Sequence, residues 1–388
     1  MTKFTLYILL MLASCLDMAA ITPGAARIDR YKPLLDGKRV ALLSNHTGMV
    51  DSIHTLDFML ANGIKVTTLL SPEHGFRGTA DAGEQVASST DKATGLPIIS
   101  LYAAGKRDAA ASAMKDVDVV VVDLQDVGTR FYTYYITMLQ VMEAAAEAGK
   151  PVVIFDRPNP LGMTVDGPVL DMSLRSGVGR LPIPVLHGMT LGELARMAVG
   201  EGWLRDSLKP QLTVIPVADY THASRYTLPV PPSPNLRTMK AIYLYPSLCY
   251  FEGTPVSVGR GTDMPFLVYG NPAMTNRGFR FTPRSVAGAK NPPLLGKTCN
   301  GVDLRKLDDD SIIALGVDLS YVIDAYNAMP AASRQKFFTS FFDKLIGNAS
   351  VKQMIIDGRS ADEIKASWRP EVEKFKSIRS KYLLYPEK

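Results

Sequence analysis

Residues 118–126 read Asp-Val-Val-Val-Val-Asp-Leu-Gln-Asp. The run of valines does not alternate with polar residues, so it suits a strand covered on both faces, as in a parallel sheet. Three other runs share the pattern: RVALL (39–43), KVTTLL (65–70) and PVVIF (151–155). Each run ends in polar and ionisable residues: Ser44-Asn45-His46, Glu73-His74, Asp123-Leu124-Gln125-Asp126 and Asp156-Arg157-Pro158-Asn159. The carboxyl ends of strands in an open α/β sheet line one crevice. The chain therefore predicts an active cleft built from strand ends.

Helical segments fall between these runs, one opened by Asp51-Ser52 and ending at Asn62-Gly63, a longer one from about Thr133 to Gly149. LPIISLY (96–102) adds a strand. Such alternation predicts right-handed crossovers and a doubly wound sheet. Thr190 opens an amphipathic helix leading to LTVIPV (212–217), and PVPPSPN (229–235) suits neither a helix nor a central strand. The fold class expected is α/β, a Rossmann-like doubly wound parallel sheet domain over 21–205 with a smaller α+β auxiliary domain over 206–388 completing the cleft. The chain closes with a helix around Ala332 to Gly347 and another whose Ser360 and Glu363 have capping-box spacing.

The 388 residues are 46% hydrophobic and 21% charged, an ordinary globular composition. The net charge of +5 is scattered without a basic run, which argues against a nucleic-acid partner. Lys3 followed by the apolar stretch Phe4 to Ala13 resembles an export signal within residues 1–20, too short to span a bilayer. Two readings compete there: a lipobox, Leu12-Ala13-Ser14-Cys15, with membrane attachment through a lipidated Cys15, or a cut after Ala20 releasing a soluble periplasmic protein. Either places the chain in the periplasm or cell envelope. That compartment permits a disulfide between Cys249 and Cys299, with two unpaired core thiols the alternative.

No G-x-G-x-x-G follows the first strand and no Walker loop is present, so a nucleotide is not implied. A G-x-S-x-G elbow is absent, which sets Ser44 aside as a nucleophile. His46, His74 and Asp123 have zinc-compatible chemistry but no H-E-x-x-H helix, and His54 reads as a surface or core residue. The expectation is no metal and no cofactor. Glu73 is the strongest catalytic candidate, because Pro72 restricts the backbone before it and Gly75 and Gly78 permit sharp turns after it. Its competing role is an ion pair with Arg77. Asp126, Arg130 and Tyr132 join carboxylates to aromatics, a common sugar-binding combination, though Asp126 also suits a helix cap. Glu252 and Arg260 stand in a second glycine-rich region, from which a carboxylate could complete a glycosidase pair.

Seven motifs occur in order: NHTG (45–48), SPEHGFRG (71–78), DLQDVGTRFYTY (123–134), DRPNPLG (156–162), HGMTLGELA (187–195), PPSPN (231–235) and FEGTPVSVGRGT (251–262). Together they resemble the exo-β-N-acetylmuramidases of glycoside hydrolase family 171, from about Val40 to the terminal KYLLYP. The resemblance implies a Rossmann-like domain bearing the cleft, a smaller joined domain, and release of N-acetylmuramic acid from non-reducing ends of peptidoglycan fragments.

It also implies that Glu73, the glutamate of SPEHGF, is the catalytic acid. Asp123, Glu252 and His74 are candidates for the second catalytic group. Asn45, His46, Asp126, Tyr132, Asp156 and Asn159 are candidate substrate contacts. Muramic acid carries a lactyl carboxylate, which Arg77, Arg130, Arg157 or Arg260 could clamp in bidentate fashion. Its acetamido oxygen could attack the anomeric carbon in a substrate-assisted course. The expected partners are muropeptides or disaccharides derived from peptidoglycan. The alternatives are a binding protein that captures such glycans without cleaving them, and a metal-dependent deacylase.

Overall fold

The computed structural model describes residues 20–73, 75–76, 88–101 and 106–388. Its main sheet contains β1 (Val40–Ser44), β2 (Val66–Ser71), β3 (Ser89–Thr90), β4 (Pro97–Ser100), β5 (Val119–Asp123), β6 (Val152–Phe155) and β7 (Leu212–Ile215), in the order β3-β4-β2-β1-β5-β6-β7. All pairings are parallel except that of β3 with β4. From β1 the chain moves outward to β2 and β4, then returns to the other side of β1 for β5. The point of reversal lies between β1 and β5, where Ser44 pairs with Asp123. Ligand crevices form at such switch points.

The unbroken apolar runs have a direct packing cause. Ala41, Leu43, Val120 and Val122 enter one core, while Val40, Leu42, Val119 and Val121 enter the core on the opposite face. Neither face meets solvent, so neither position can be polar. The first core is shared with the rest of the chain, since Tyr245, Phe266 and Trp368 belong to it. Burial on this scale joins the two halves into one continuous interior.

The second half carries a smaller antiparallel sheet, β8 (Val268–Asn271), β9 (Phe279–Phe281) and β10 (Cys299–Asp303), with β10 central. A capping box formed by Ser360 and Glu363 opens the helix Ala361–Arg379, as their spacing predicts. Its Trp368 donates from Nε1 to Asp166 at 3.0 Å, tying the end of the chain to the first half.

Three local expectations are corrected. Strand β7, which a boundary at 205/206 assigns to the auxiliary domain, is hydrogen-bonded in register to β6 and completes the first domain's sheet. The helix after β1 is Thr55–Ala61, capped by His54 and not by Asp51-Ser52, because His54 Nδ1 accepts from Leu56 N at 3.1 Å. Asp51 instead occupies a left-handed turn, at φ 52°. The segment around Ala332 to Gly347 is two short helices, Ala331–Arg334 and Ser340–Ile346. Thr339 breaks it by adopting an extended conformation and capping the second helix through Phe341 N.

Candidate active site

The loop leaving β2 turns through Pro72 and delivers Glu73 to a cleft of about 960 Å³ between the two halves of the chain. Tyr132, Thr133 and Tyr134 line the same wall. Glu252, Arg260 and Phe266 line the facing part, so one carboxylate comes from each half. Volume and lining suit a small polar ligand with apolar faces.

Glu73 is half-buried, and its Oε2 accepts from Thr133 Oγ1 at 2.9 Å. Thr133 is the N-cap of the helix Tyr134–Glu147, yet makes no side-chain capping bond. Glu252 sits on a 3₁₀ turn, Cys249–Gly253. Its Oε1 accepts from Arg260 Nε at 2.7 Å, and its Oε2 lies 3.8 Å from the Cys249 thiol. The Arg260 guanidinium also lies over the Phe266 ring, 5.0 Å from its centroid. Burial opposes the charge on Arg260, but Glu252 beside it more than compensates and raises its pKa. The facing carboxylate is therefore held beside a permanent cation.

An aromatic floor joins the walls. Tyr132 and Tyr134 meet edge to face at 4.7 Å, and Tyr245 packs edge to face on Phe266 at 5.0 Å. Both Tyr132 and Tyr134 donate to the Pro232 carbonyl, at 2.8 and 3.2 Å. His46 Nε2 lies 2.9 Å from the Pro231 carbonyl. The proline-rich segment is thus pinned by rings from the strand ends, which sets the spacing of the cleft walls. In the sequence this segment shows as a break in regular structure and as the PPSPN motif, neither of which reveals what it touches.

Several expected site residues lie elsewhere. Asp123 is fully buried and held by Arg157, with Nε to Oδ1 at 2.6 Å and NH2 to Oδ2 at 2.9 Å. Arg157 also donates to the Met49 carbonyl. Each consumes the other, so neither lines the cleft. Arg130 is fully buried and donates to four backbone carbonyls, of Pro168, Ile183, Leu345 and Ile346. Two of these close the helix Ser340–Ile346, where a cation is favoured by the helix dipole. Burial pushes its pKa down to about 10, which leaves it charged at neutral pH. A guanidinium so engaged cannot clamp a substrate carboxylate.

Asp156 accepts from Thr190 Oγ1, Gly192 N and Tyr385 OH, at the start of the helix Leu191–Gly200. Asn159 bridges Leu161 N and the Met189 carbonyl. Asp126 accepts from Gly128 N at 2.7 Å, closing a turn, and the Tyr135 amide in the first turn of the following helix also favours its charged form, as its expected capping role requires. Asn45 accepts from the backbone and hydroxyl of Thr47. These residues are the frame of the strand ends. His54, buried, reaches the Asn45 carbonyl at 2.9 Å and belongs to that frame as well.

His74, Arg77, Cys15 and the export signal lie outside the described residues. Among the described residues no cluster of three or more His, Cys, Asp or Glu side chains is arranged to hold a metal. His46 and Asp123, two members of the zinc candidate, bind Pro231 and Arg157 respectively. Cys249 and Cys299 are unpaired, buried thiols. Thr133 and Tyr134 were missed as cleft residues although they stand in the DLQDVGTRFYTYY run. Lys290, on the second half's wall, had no motif to mark it.

Comparison with known proteins places this geometry among relatives. Residues 40–240 match the family described as Exo-beta-N-acetylmuramidase NamZ, N-terminal, and residues 243–385 the one described as Exo-beta-N-acetylmuramidase NamZ, C-terminal. The division follows β7, in agreement with that strand's place in the first sheet. The Peptidoglycan beta-N-acetylmuramidase NamZ of Bacillus subtilis (strain 168) is 38% identical over 373 residues, 92% of this chain and 89% of the relative. Two crystal structures of DUF1343 family proteins from Bacteroides fragilis NCTC 9343 are similar throughout. One is 53% identical with a TM-score of 0.88, over 95% of this chain and 99% of that one. The other is 27% identical with a TM-score of 0.79, over 94% and 99%.

Proposed function

This chain belongs to the exo-β-N-acetylmuramidase NamZ family, and from that premise we propose how its cleft acts on peptidoglycan fragments. The protein is a glycoside hydrolase that releases N-acetylmuramic acid from non-reducing ends. The observation that carries the site is the placement of Glu73 and Glu252 on facing halves of one aromatic-floored cleft.

In this reading Glu73 is the general acid that protonates the leaving glycosidic oxygen. Glu252, held beside Arg260, is the anionic partner. It either orients the acetamido group for internal attack or stabilises positive charge at the anomeric carbon. Arg260 pairs with Glu252, whereas Glu73 accepts from the Thr133 hydroxyl. Two carboxylates in unlike surroundings can serve as acid and anion together. Among the described residues Arg130 and Arg157 are engaged elsewhere, and the cations lining the cleft that suit the lactyl carboxylate are Arg260 and Lys290 on the second half's wall. An export-like N-terminus supports action in the cell envelope, with Cys15 as a lipid attachment point if the lipobox is used.

The test uses a chromogenic β-N-acetylmuramide and the matching glucosaminide, with wild-type protein and Glu73→Gln. Release from the muramide alone, reduced about 10²- to 10⁴-fold in the variant, is the expected result. Undiminished release by Glu73→Gln would remove Glu73 from the chemistry. Binding of muropeptides without any release would favour the capture-protein alternative.

A further inference from the structure

A second cavity, about 640 Å³, adjoins the cleft, and Gln140 lines both. The helix Tyr134–Glu147 supplies the common wall. Thr133, Thr137 and Gln140 face the cleft, while Gln140, Ala144 and Glu147 face the second cavity. Their spacings of three and four residues place them on one stripe of the helix. At 1.5 Å per residue that stripe runs ~21 Å from Thr133 to Glu147. A second segment also spans both spaces, with Gly177 and Val178 in the cleft and Arg175 and Arg180 in the cavity. Two independent walls therefore continue from one space into the other.

The far end has the chemistry of a sugar platform. Trp203 is half-buried and lines the cavity, offering an apolar surface beside polar groups. Glu143 is fixed by Arg180 at 2.6 Å and by Arg205 N at 3.0 Å, and Glu147 by Arg205 at 2.7 Å. These pairs make a rigid, charge-balanced surround with hydrogen-bonding edges. Arg175 is exposed at the rim. Apolar faces with fixed polar groups suit pyranose rings, which are apolar on their C–H faces and polar at their edges.

We infer that this cavity is an extension of the active cleft that holds the glycan chain on the leaving-group side of the scissile bond, with Trp203 as its distal platform. The inference rests on the exo-muramidase reading, which puts one sugar at Glu73 and leaves the remainder of the chain to run along the Tyr134–Glu147 helix. The glycan enters as a neutral or weakly anionic polymer of acetamido sugars. Arg175 then meets carboxylates that the chain carries beyond the first sugar.

The experiment separates chain binding from catalysis. Affinity of the Glu73→Gln protein is measured by calorimetry for a muramoyl disaccharide and for a longer peptide-free glycan, alone and with Trp203→Ala or Ser207→Trp added. Ser207 is exposed and lines the cavity, so a bulky side chain there obstructs the space without removing a packed residue; since its φ is 53°, thermal melts accompany the variant to show that it is folded. The longer glycan is expected to bind more tightly than the disaccharide, and either substitution to erase about a tenfold advantage. In parallel, the single variants with Glu73 intact should cleave the chromogenic muramide at the wild-type rate. Equal affinity for both lengths, or unchanged affinity in both variants, overturns the extension. Loss of muramide cleavage in wild-type protein would instead overturn the functional reading, while the affinity series still decides the extension.

Discussion

Thr133 donates its hydroxyl to Glu73 at 2.9 Å from the N-cap position of a 14-residue helix, where its side chain makes no capping bond. A threonine at an N-cap ordinarily satisfies a backbone amide of the first turn. Here the hydroxyl serves a carboxylate 60 residues away in sequence. The local stabilisation is given up and an acid is held in place. Thr133 is a positioning residue.

Replacing Thr133 by Val should therefore lower kcat about tenfold, the equivalent of one hydrogen bond, with KM nearly unchanged. Thr133→Ser should recover most of the loss. Since no cap is removed, denaturation of Thr133→Val should differ from wild type by less than about 0.5 kcal/mol. A fall in stability matching the fall in rate would make the role merely structural.

For the Asp123–Arg157 pair the expected loss is in stability. Asp123→Asn leaves a guanidinium uncompensated in the interior and should cost about 3–5 kcal/mol. Asp123→Leu combined with Arg157→Met should recover much of it, because apolar replacement of both partners removes the stranded charge. Urea melts of the single and double variants check this. A double variant no more stable than the single would show that the pair's geometry, and not its charge balance, holds the strand ends together.

Arg130 makes a comparable prediction with different partners. Arg130→Met strips four carbonyls of their donor and should cost about 3 kcal/mol or more, as buried acceptors left unsatisfied do. The protein that remains folded should keep its KM for the muramide. A raised KM at full stability would return Arg130 to substrate binding.

Much of this was legible in the sequence, and the divide is physical. Strands such as 119–123 announce themselves because both faces are buried, leaving no polar position. Residue type at strand ends is equally visible. What a strand-end charge faces is not. Asp123 and Arg157 look alike whether they bind substrate or each other, since their contact joins positions 34 apart. Arg130's farthest acceptor is 216 residues away. Glu73 and Glu252 share a cleft only after the chain has passed through the whole first sheet. Helical capping, by contrast, is local, and Ser360 with Glu363 could be read directly.

Stability should also fall as pH rises from about 4 to about 7. Burial pushes Asp126 up to about 7 and Asp156 up to about 6. In an unfolded chain both would lose their protons near pH ~3.9. Between those values the folded state binds more protons than the unfolded one, so the free energy of unfolding decreases with pH. Asp126→Asn retains an acceptor for Gly128 N and removes one source of the decline. Its melting temperature relative to wild type should rise from pH 5 to pH 8 in a thermal scan series. A constant difference across that range would count against a protonated Asp126.

The last residues of the chain finish the first domain. Tyr385 donates to Asp156, Leu384 N donates to Glu193, and His222 N donates to the Pro386 carbonyl. Asp156 and Glu193 lie roughly halfway back along the chain, so these bonds form between its middle and its final segment. A polypeptide made from its N-terminus onward exposes Asp156 long before Tyr385 exists. Its first sheet can assemble early, but the acid at the end of β6 waits for its hydroxyl partner until synthesis has passed Tyr385. Maturation is therefore timed by the tail, which makes the order of assembly a property of the whole chain.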